Sequence, residues 1–186
     1  MAFNITNFQS ELRFGGARAN LFQVQIDNPV DNGTFLKTPF MVQAAQIPEA
    51  TIGVATVNYF GREVKLAGNR TFGDWEVTII NDEDFLIRDG MERWSNAING
   101  LQTNLRSPLL GSAAQYKRSA TVTQFAKTGE PIRSYKFVNI FPTTIGAIDL
   151  DWSTNDAVET FPVTFSYDYW QVGKGGTNQV TVAEFG

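Results

Sequence analysis

Only one segment of this chain of 186 residues carries a strong helical period. Ile87, Met91, Trp94 and Ile98 are spaced four, three and four apart, which aligns them on one face of an α-helix. Asn81-Asp82-Glu83-Asp84 precedes them. Asn81 or Asp82 can cap a helix by accepting backbone N–H bonds, and the acids that follow suit the positive end of its dipole. Asn99-Gly100 supplies a stop. The spacing predicts one helix over about residues 83–99. The segments on either side read as short strands, so the strands have to be arranged around it.

Those strands are legible mainly by alternation. Phe22, Val24 and Ile26 alternate with Gln23 and Gln25, and Asp31-Asn32-Gly33 then signals a turn. Phe35 to Ala45 is predicted as a second strand, with Pro39 marking an edge or a bulge. Glu63 to Ala67 is a third, turned by Gly68-Asn69, and Trp75, Val77 and Ile79 share one face of a fourth. Leu101 to Gln115 reads as a loop. Lys117 to Phe125 and Ile132 to Val138 are strands joined by a turn at Gly129 and Pro131, and Phe141-Pro142 breaks the chain before Ile145 to Trp152. The clearest strand is Phe161, Val163, Phe165, Tyr167 and Tyr169 alternating with polar residues and Pro162. The sum is about eight strands and one helix, which predicts a mainly β fold: an antiparallel β-sandwich or barrel with one flanking α-helix.

Three stretches stand apart. Residues 1–20 are polar with isolated Phe and Leu and read as an extended N-terminal arm; residues 171–186 form a Gly-containing C-terminal extension; the domain proper is 21–170. Within it, residues 46–61 are broken by Pro48 and Gly53 yet carry Ile47, Ile52, Val54 and Val57. A hairpin arm projecting from the body explains that mixture, and so does a loop folded over its own core.

Composition removes whole classes of chemistry. The chain has no His and no Cys, so His-dependent nucleophile systems and thiolate metal sites are excluded. No apolar run approaches the roughly 18 residues of a membrane helix, and the N-terminus lacks the pattern of a signal peptide. A net charge of -4 is a poor basis for gripping phosphates. Gly173-Lys174-Gly175-Gly176-Thr177 resembles a phosphate loop only superficially: the motif needs Gly at Asp168 and Ser or Thr at Gly175. Asp149, Asp151, Ser153 and Asn155 begin like a calcium loop, but Thr154 and Thr160 occupy its obligatory Gly and Glu positions. Nothing fixes Glu63, Asp74 and Glu76 as a catalytic pair. Trp75, Trp94, Trp152 and Trp170 fit core packing better than a sugar platform. No catalytic, cofactor or metal site is expected. The Tyr116–Val138 hairpin is locally basic, with Lys117, Arg118, Lys127, Arg133 and Lys136. In an otherwise acidic chain this suits contact with another copy, where different patches meet.

Five segments in order resemble the tail tube proteins of contractile-tailed bacteriophages. They are ARANLFQVQI (Ala17–Ile26), REVKLAGNRTFGDWEVTIINDEDF (Arg62–Phe85), AQYKRSATVTQF (Ala114–Phe125), FPTTIGAIDLDWSTND (Phe141–Asp156) and VETFPVTFSYDYW (Val158–Trp170). Asn69 stands where that family normally has Asp.

The resemblance implies a structural, non-enzymatic virion subunit, assembled in the host cytoplasm. Hexameric rings, closed by pairing of sheets between subunits, stack into a hollow tube inside a contractile sheath. Its partners would be the sheath, baseplate and tail terminator proteins and a ruler protein in the lumen. DNA would pass through on ejection without specific binding and without membrane insertion. Ile47, Pro48, Ile52, Val54 and Val57 are then expected at the contact between rings. Gln43, Glu63, Lys65 and Thr121 are expected to face the lumen, and Lys117, Arg118, Arg133 and Lys136 the interfaces between subunits. Acidic walls would repel phosphate, although the basic hairpin makes a uniformly negative lumen doubtful. A tube carrying protein cargo in a contractile injection system is the nearest alternative, and a monomeric carbohydrate-binding β-sandwich a more distant one.

Overall fold

The computed structural model describes residues 5–12 and 16–174. Its elements run α1 (Ile5–Glu11), β1 (Phe22–Ile26), α2 (Asn32–Met41), β2 (Val42–Ala45), β3 (Ala50–Tyr59), β4 (Arg62–Phe72), β5 (Trp75–Ile80) and α3 (Leu86–Ile98). A 3-10 turn (Pro108–Leu110), α4 (Ala113–Tyr116), β6 (Arg118–Phe125), β7 (Pro131–Ile145), β8 (Thr160–Ser166) and β9 (Tyr169–Lys174) complete it. All strand pairs are antiparallel. No described helix is long and apolar enough to cross a membrane.

The body is one strand path, β1-β6-β7-β8-β5-β2, with β9 added to β7. β7 belongs to two sheets: its first part lies between β6 and β9, and its last residues, Phe141–Ile145, pair with β8. The switch is built at Asn139, which has φ +61°, where β7 carries an extra residue against the stretch Arg118–Ala120. The Asn139 amide holds this corner by donating to Asp168 over 2.6 Å.

Alternation then decides what each sheet buries. Val24, Ile26, Ala120, Val122 and Phe137 point inward from the first sheet, and Trp75, Val77, Ile79, Phe161, Val163 and Phe165 from the second. Trp75 stacks on Phe137 at 4.3 Å between ring centroids, which ties the two sheets face to face. Helix α3 covers one side with Ile87, Met91 and Trp94, and Ile98 packs partly against the same core. The Trp94 indole N–H donates to the Tyr116 carbonyl, so the ring is buried without an orphaned polar group.

The fold class and the α3 stripe are as expected, but several element assignments change. Phe35 to Ala45 is mostly helix, not strand. Asp31 caps α2 by accepting from Gly33 N–H, and Thr38 Oγ1 donates to the Thr34 carbonyl beside Pro39. Pro39 sits in the last turn, where its missing N–H costs the helix its bond to the Phe35 carbonyl. Helix α3 starts later than expected. Asp84, not Asn81 or Asp82, accepts the Leu86 N–H, while the Asn81 amide is turned to Glu159. Gly68-Asn69 is no turn but a bulge inside β4, where Gly68 backs onto Gly53. Phe141-Pro142 does not break β7, because a register shift after Pro142 absorbs the missing donor. Residues 146–159 form no strand. Gln171–Lys174 belong to β9 and so to the body, while the rest of the expected extension lies outside the described residues. The N-terminal arm contains α1, whose Ile5, Phe8 and Leu12 fall on one helical face and are all exposed.

Candidate functional site

The described residues hold no conspicuous catalytic cleft; their unusual features are surfaces. The first is the β3–β4 hairpin. Every residue from Ala50 to Thr71 is exposed, and the two strands pair only with each other. Its turn at Phe60-Gly61 has positive φ at both residues (46° and 77°), the geometry that suits the twist of a two-residue hairpin loop. At its base Phe72 packs near Tyr167 and Trp170, with centroids at 6.0 and 6.2 Å, and the Trp75 indole donates to the Gln46 carbonyl. Burial, and secondarily the charge of Asp74, raises the Tyr167 hydroxyl to a pKa of about 12, so this wall of the base stays neutral.

The register assigns the arm two faces. Val57 pairs with Val64, Ala55 with Leu66 and Tyr59 with Arg62, giving one mostly apolar face. Asn58 pairs with Glu63 and Thr56 with Lys65, giving a polar face near the tip; Val54 opposite Ala67 and Ile52 opposite Arg70 continue it toward the base. The arm therefore spans residues 50–72, not a loop of 46–61. Among the residues expected at a ring contact, Ile52 and Val54 lie on one face and Val57 on the other. Ile47 is at the base, and Pro48 is buried in the subunit itself. Tyr59, Phe60, Val64 and Leu66 were missed. Val64 and Leu66 alternate with Glu63 and Lys65 as a half-buried strand does, and only the lack of a covering layer reveals the difference.

The second surface is the outer face of the β1-β6-β7-β9 sheet. The ladders align Gln25, Thr121, Lys136 and Gln171 in one row and Gln23, Thr123, Ser134 and Gly173 in the next. Hydroxyls and amides dominate it, with Lys136 as the charge. Of the expected lumen residues, only Thr121 is here. Glu63 and Lys65 share the polar face of the arm, and Gln43 is exposed on the edge strand β2.

The basic residues divide similarly. Lys117 bonds Asp168 at 2.9 Å, and Arg118 approaches Asp27 at 3.8 Å. Lys117, then Asn139, holds the Asp168 carboxyl below its ordinary pKa. Arg133 lies over the Tyr135 ring, and neither it nor Lys136 has an ion pair among the described residues. Of the four tryptophans, Trp75 and Trp94 are buried, Trp170 is partly so, and Trp152 is fully exposed, which makes no sugar platform.

An arm whose residues 50–71 all stay exposed among the described residues suits a chain built to meet others, and known proteins share its sequence. A model of the phage tail tube protein family matches residues 4–173. The chain belongs to this family. It is 34% identical over 156 residues to the tail tube protein gp19 of Enterobacteria phage T4, covering 83% of this chain and 91% of that one. The tail tube protein of Serratia phage KSP90 is 25% identical over 120 residues, covering 64% and 66%. The fold is also similar to a chain in the PVC sheath/tube terminator of an extracellular contractile injection system. There the TM-score is 0.61 at 14% identity, covering 84% of this chain and 95% of that one. The protein is thus a tail tube subunit and a structural component of a virion, a role that calls for no enzymatic site.

Proposed function

We propose that the subunit forms hexameric rings that stack through the β3–β4 arm into the tube of a contractile tail. The single observation that carries this is the arm itself: a long hairpin with an apolar face that none of the described residues covers. Exposed apolar surface of this extent marks an interaction site. The exposed edges of β1, β2 and β9 are the natural places for strand pairing between subunits of a ring, which would remove them as edges. Of the four basic residues expected between subunits, Arg133 is then the one open to a neighbour in the ring, because Lys117 and Arg118 have partners at home and Lys136 lies on the outer face of the first sheet.

The amide- and hydroxyl-rich face of the first sheet is the best candidate for the lumen wall. It offers few cations to hold phosphate, so DNA slides past it without release of counterions. This replaces charge repulsion with near neutrality as the reason DNA does not stick. The sheath, baseplate and terminator would meet the outer wall and the two tube ends, and a ruler protein would occupy the lumen during assembly. Residues 21–174 make up the tube domain in this reading, with residues 1–20 as an arm outside it.

The test is electron microscopy of the purified chain beside Ile52→Asp and Val57→Asp. Both variants should keep the fold, since both sites are exposed, and both should form rings but fail to stack. Normal tubes from both variants would sink the assignment of the arm.

A further inference from the structure

We propose that the tip of the arm, Phe60 with Arg62, docks into an acidic cleft at the opposite pole of the next copy. This rests on the arm being the stacking element and names the surface that receives it. β5 sets the geometry: the arm enters it at Trp75, and the cleft lies beyond Ile80 at its other end. The six residues of β5 span about 20 Å, so arm and cleft sit at opposite ends of the second sheet. A surface at one pole that fits a surface at the other makes a heterologous contact, which propagates into a filament when its rotation does not close a ring.

The cleft encloses about 230 Å³ and is lined by Asn81, Asp82, Glu83, Phe85, Val158 and Glu159. Phe85 and Val158 are its apolar part, and both are exposed in the isolated subunit, Val158 at 69%. The carboxylates of Asp82, Glu83 and Glu159 and the Asn81 amide form the remainder. Residues 81–83 meet Val158 and Glu159 here, and the segments to which they belong, 81–84 and 149–159, contain seven acids and no Lys or Arg. Lys37 engages Asp82 and Asp84, and Glu159 accepts from Asn81, while Glu83 has no cation among the described residues. The nearby Arg88 is committed to Glu92 and to the Gly146 carbonyl.

The arm is the complement. It carries Arg62, Lys65 and Arg70 against Glu63, and its tip presents Phe60, 90% exposed, packed edge-on against Tyr59. An aromatic ring entering an apolar slot, with a guanidinium beside it at an acidic rim, is the pattern of a binding hot spot. Leu150 and Trp152, earlier on the loop that supplies Val158, are exposed as well.

The chain has no cysteine, so a disulfide can report the contact directly. Asn58→Cys combined with Ala157→Cys, exposed neighbours that leave Phe60 and Val158 in place, should give, on mild oxidation of assembled tubes, a ladder of covalently linked chains; Asn58→Cys with Thr123→Cys should give none. Independently, Glu83→Lys should lower tube yield by about tenfold, and adding Arg62→Glu should restore it. Tubes that form no ladder with the first pair, or that assemble normally with Glu83→Lys, overturn the docking site and leave the stacking role of the arm standing. Tubes formed by a chain whose residues 50–72 are replaced by a short turn overturn both.

Discussion

β5 with β8 and β3 with β4 are both antiparallel pairs, yet they are stabilised by different things. On β5 the inward residues Trp75, Val77 and Ile79 are essentially inaccessible, and they face Phe161, Val163 and Phe165 across the ladder. On β3 and β4 the apolar residues are exposed: Val57 at 51%, Val64 at 49% and Leu66 at 52%. The first pair gains from burial inside the subunit. The second holds its apolar surface for another chain, since an isolated two-stranded hairpin is marginal alone. The same residue types therefore do different jobs, and the job is set by whether a second layer lies above them.

The largest effect that separates the two regions is a cavity. Phe165→Ala removes a ring that touches both Trp75 and Trp94, and it should destabilise the subunit by about 3–5 kcal/mol. Val57→Ala should change subunit stability by no more than about 0.5 kcal/mol while weakening polymerisation. Thermal unfolding below the assembly threshold measures the first term, and sedimentation the second. A Val57→Ala variant that loses core-sized stability would show that the arm is part of the subunit core.

A smaller effect tests how the helices are held on the body. Gly90 of α3 lies against Thr34 of α2, and a Cβ built on Gly90 would fall 2.1 Å from the Thr34 hydroxyl. Asn28 reinforces this crossing by donating from its amide to the Gly90 carbonyl at 3.0 Å. Gly90→Ala gains about 1 kcal/mol of helix propensity but should still lose about 1–3 kcal/mol to overpacking. Thr34→Ala in the same chain should recover part of that loss, and the pair read as a double-mutant cycle by chemical denaturation checks the contact. Gly61→Ala acts only on the arm. Its Cβ meets nothing within 4 Å, but its φ of +77° strains an L-residue by about 1–2 kcal/mol. Hydrogen exchange should quicken in β3 and β4 and stay unchanged in β5 and β8.

The comparison also explains what sequence could reveal. Alternation located β1, β5, β6 and β8, and the spacing of Ile87, Met91, Trp94 and Ile98 located α3, because each has one face in the core and one outside. It failed at α2, where Pro39 and a run of mixed residues hide a helix held by Asp31 and Thr38. It failed also at the arm, where Val64 and Leu66 alternate as in a body strand. Alternation reports that a strand has two unlike faces, not which molecule covers the apolar one. The projecting character of the region was legible from Ile52, Val54 and Val57 amid breakers, but its true turn was not. Phe60-Gly61 lacks the Asn-Gly signature that Gly68-Asn69 imitates in reverse. The opposing poles needed coordinates, since Asp82 and Glu83 meet Glu159 only through the pairing of β5 with β8.

The smallest expected effect sharpens the contrast through charge. At the acidic pole Lys37 hydrogen-bonds Asp82 and Asp84, which holds both carboxyls below their ordinary value of 3.8 and raises the lysine above 10.5. Lowered carboxyl pKa values mean that this tie is present at pH above the ordinary carboxylate value and is lost as pH falls through the lowered ones. The raised lysine value means that it is present below 10.5 and lost as pH rises through the raised one. All three groups are solvated, so the contribution is small and weakened further by salt. The expected result is a slight difference in melting temperature between the chain and Lys37→Met, constant across the window between those limits and vanishing beyond either end. The arm has no such pair among the described residues, so Lys65→Met should leave the melting temperature of the monomer unchanged. A lowered melting temperature for Lys65→Met would mean that the arm's charges are already engaged within the subunit, contrary to a surface kept open for the next copy.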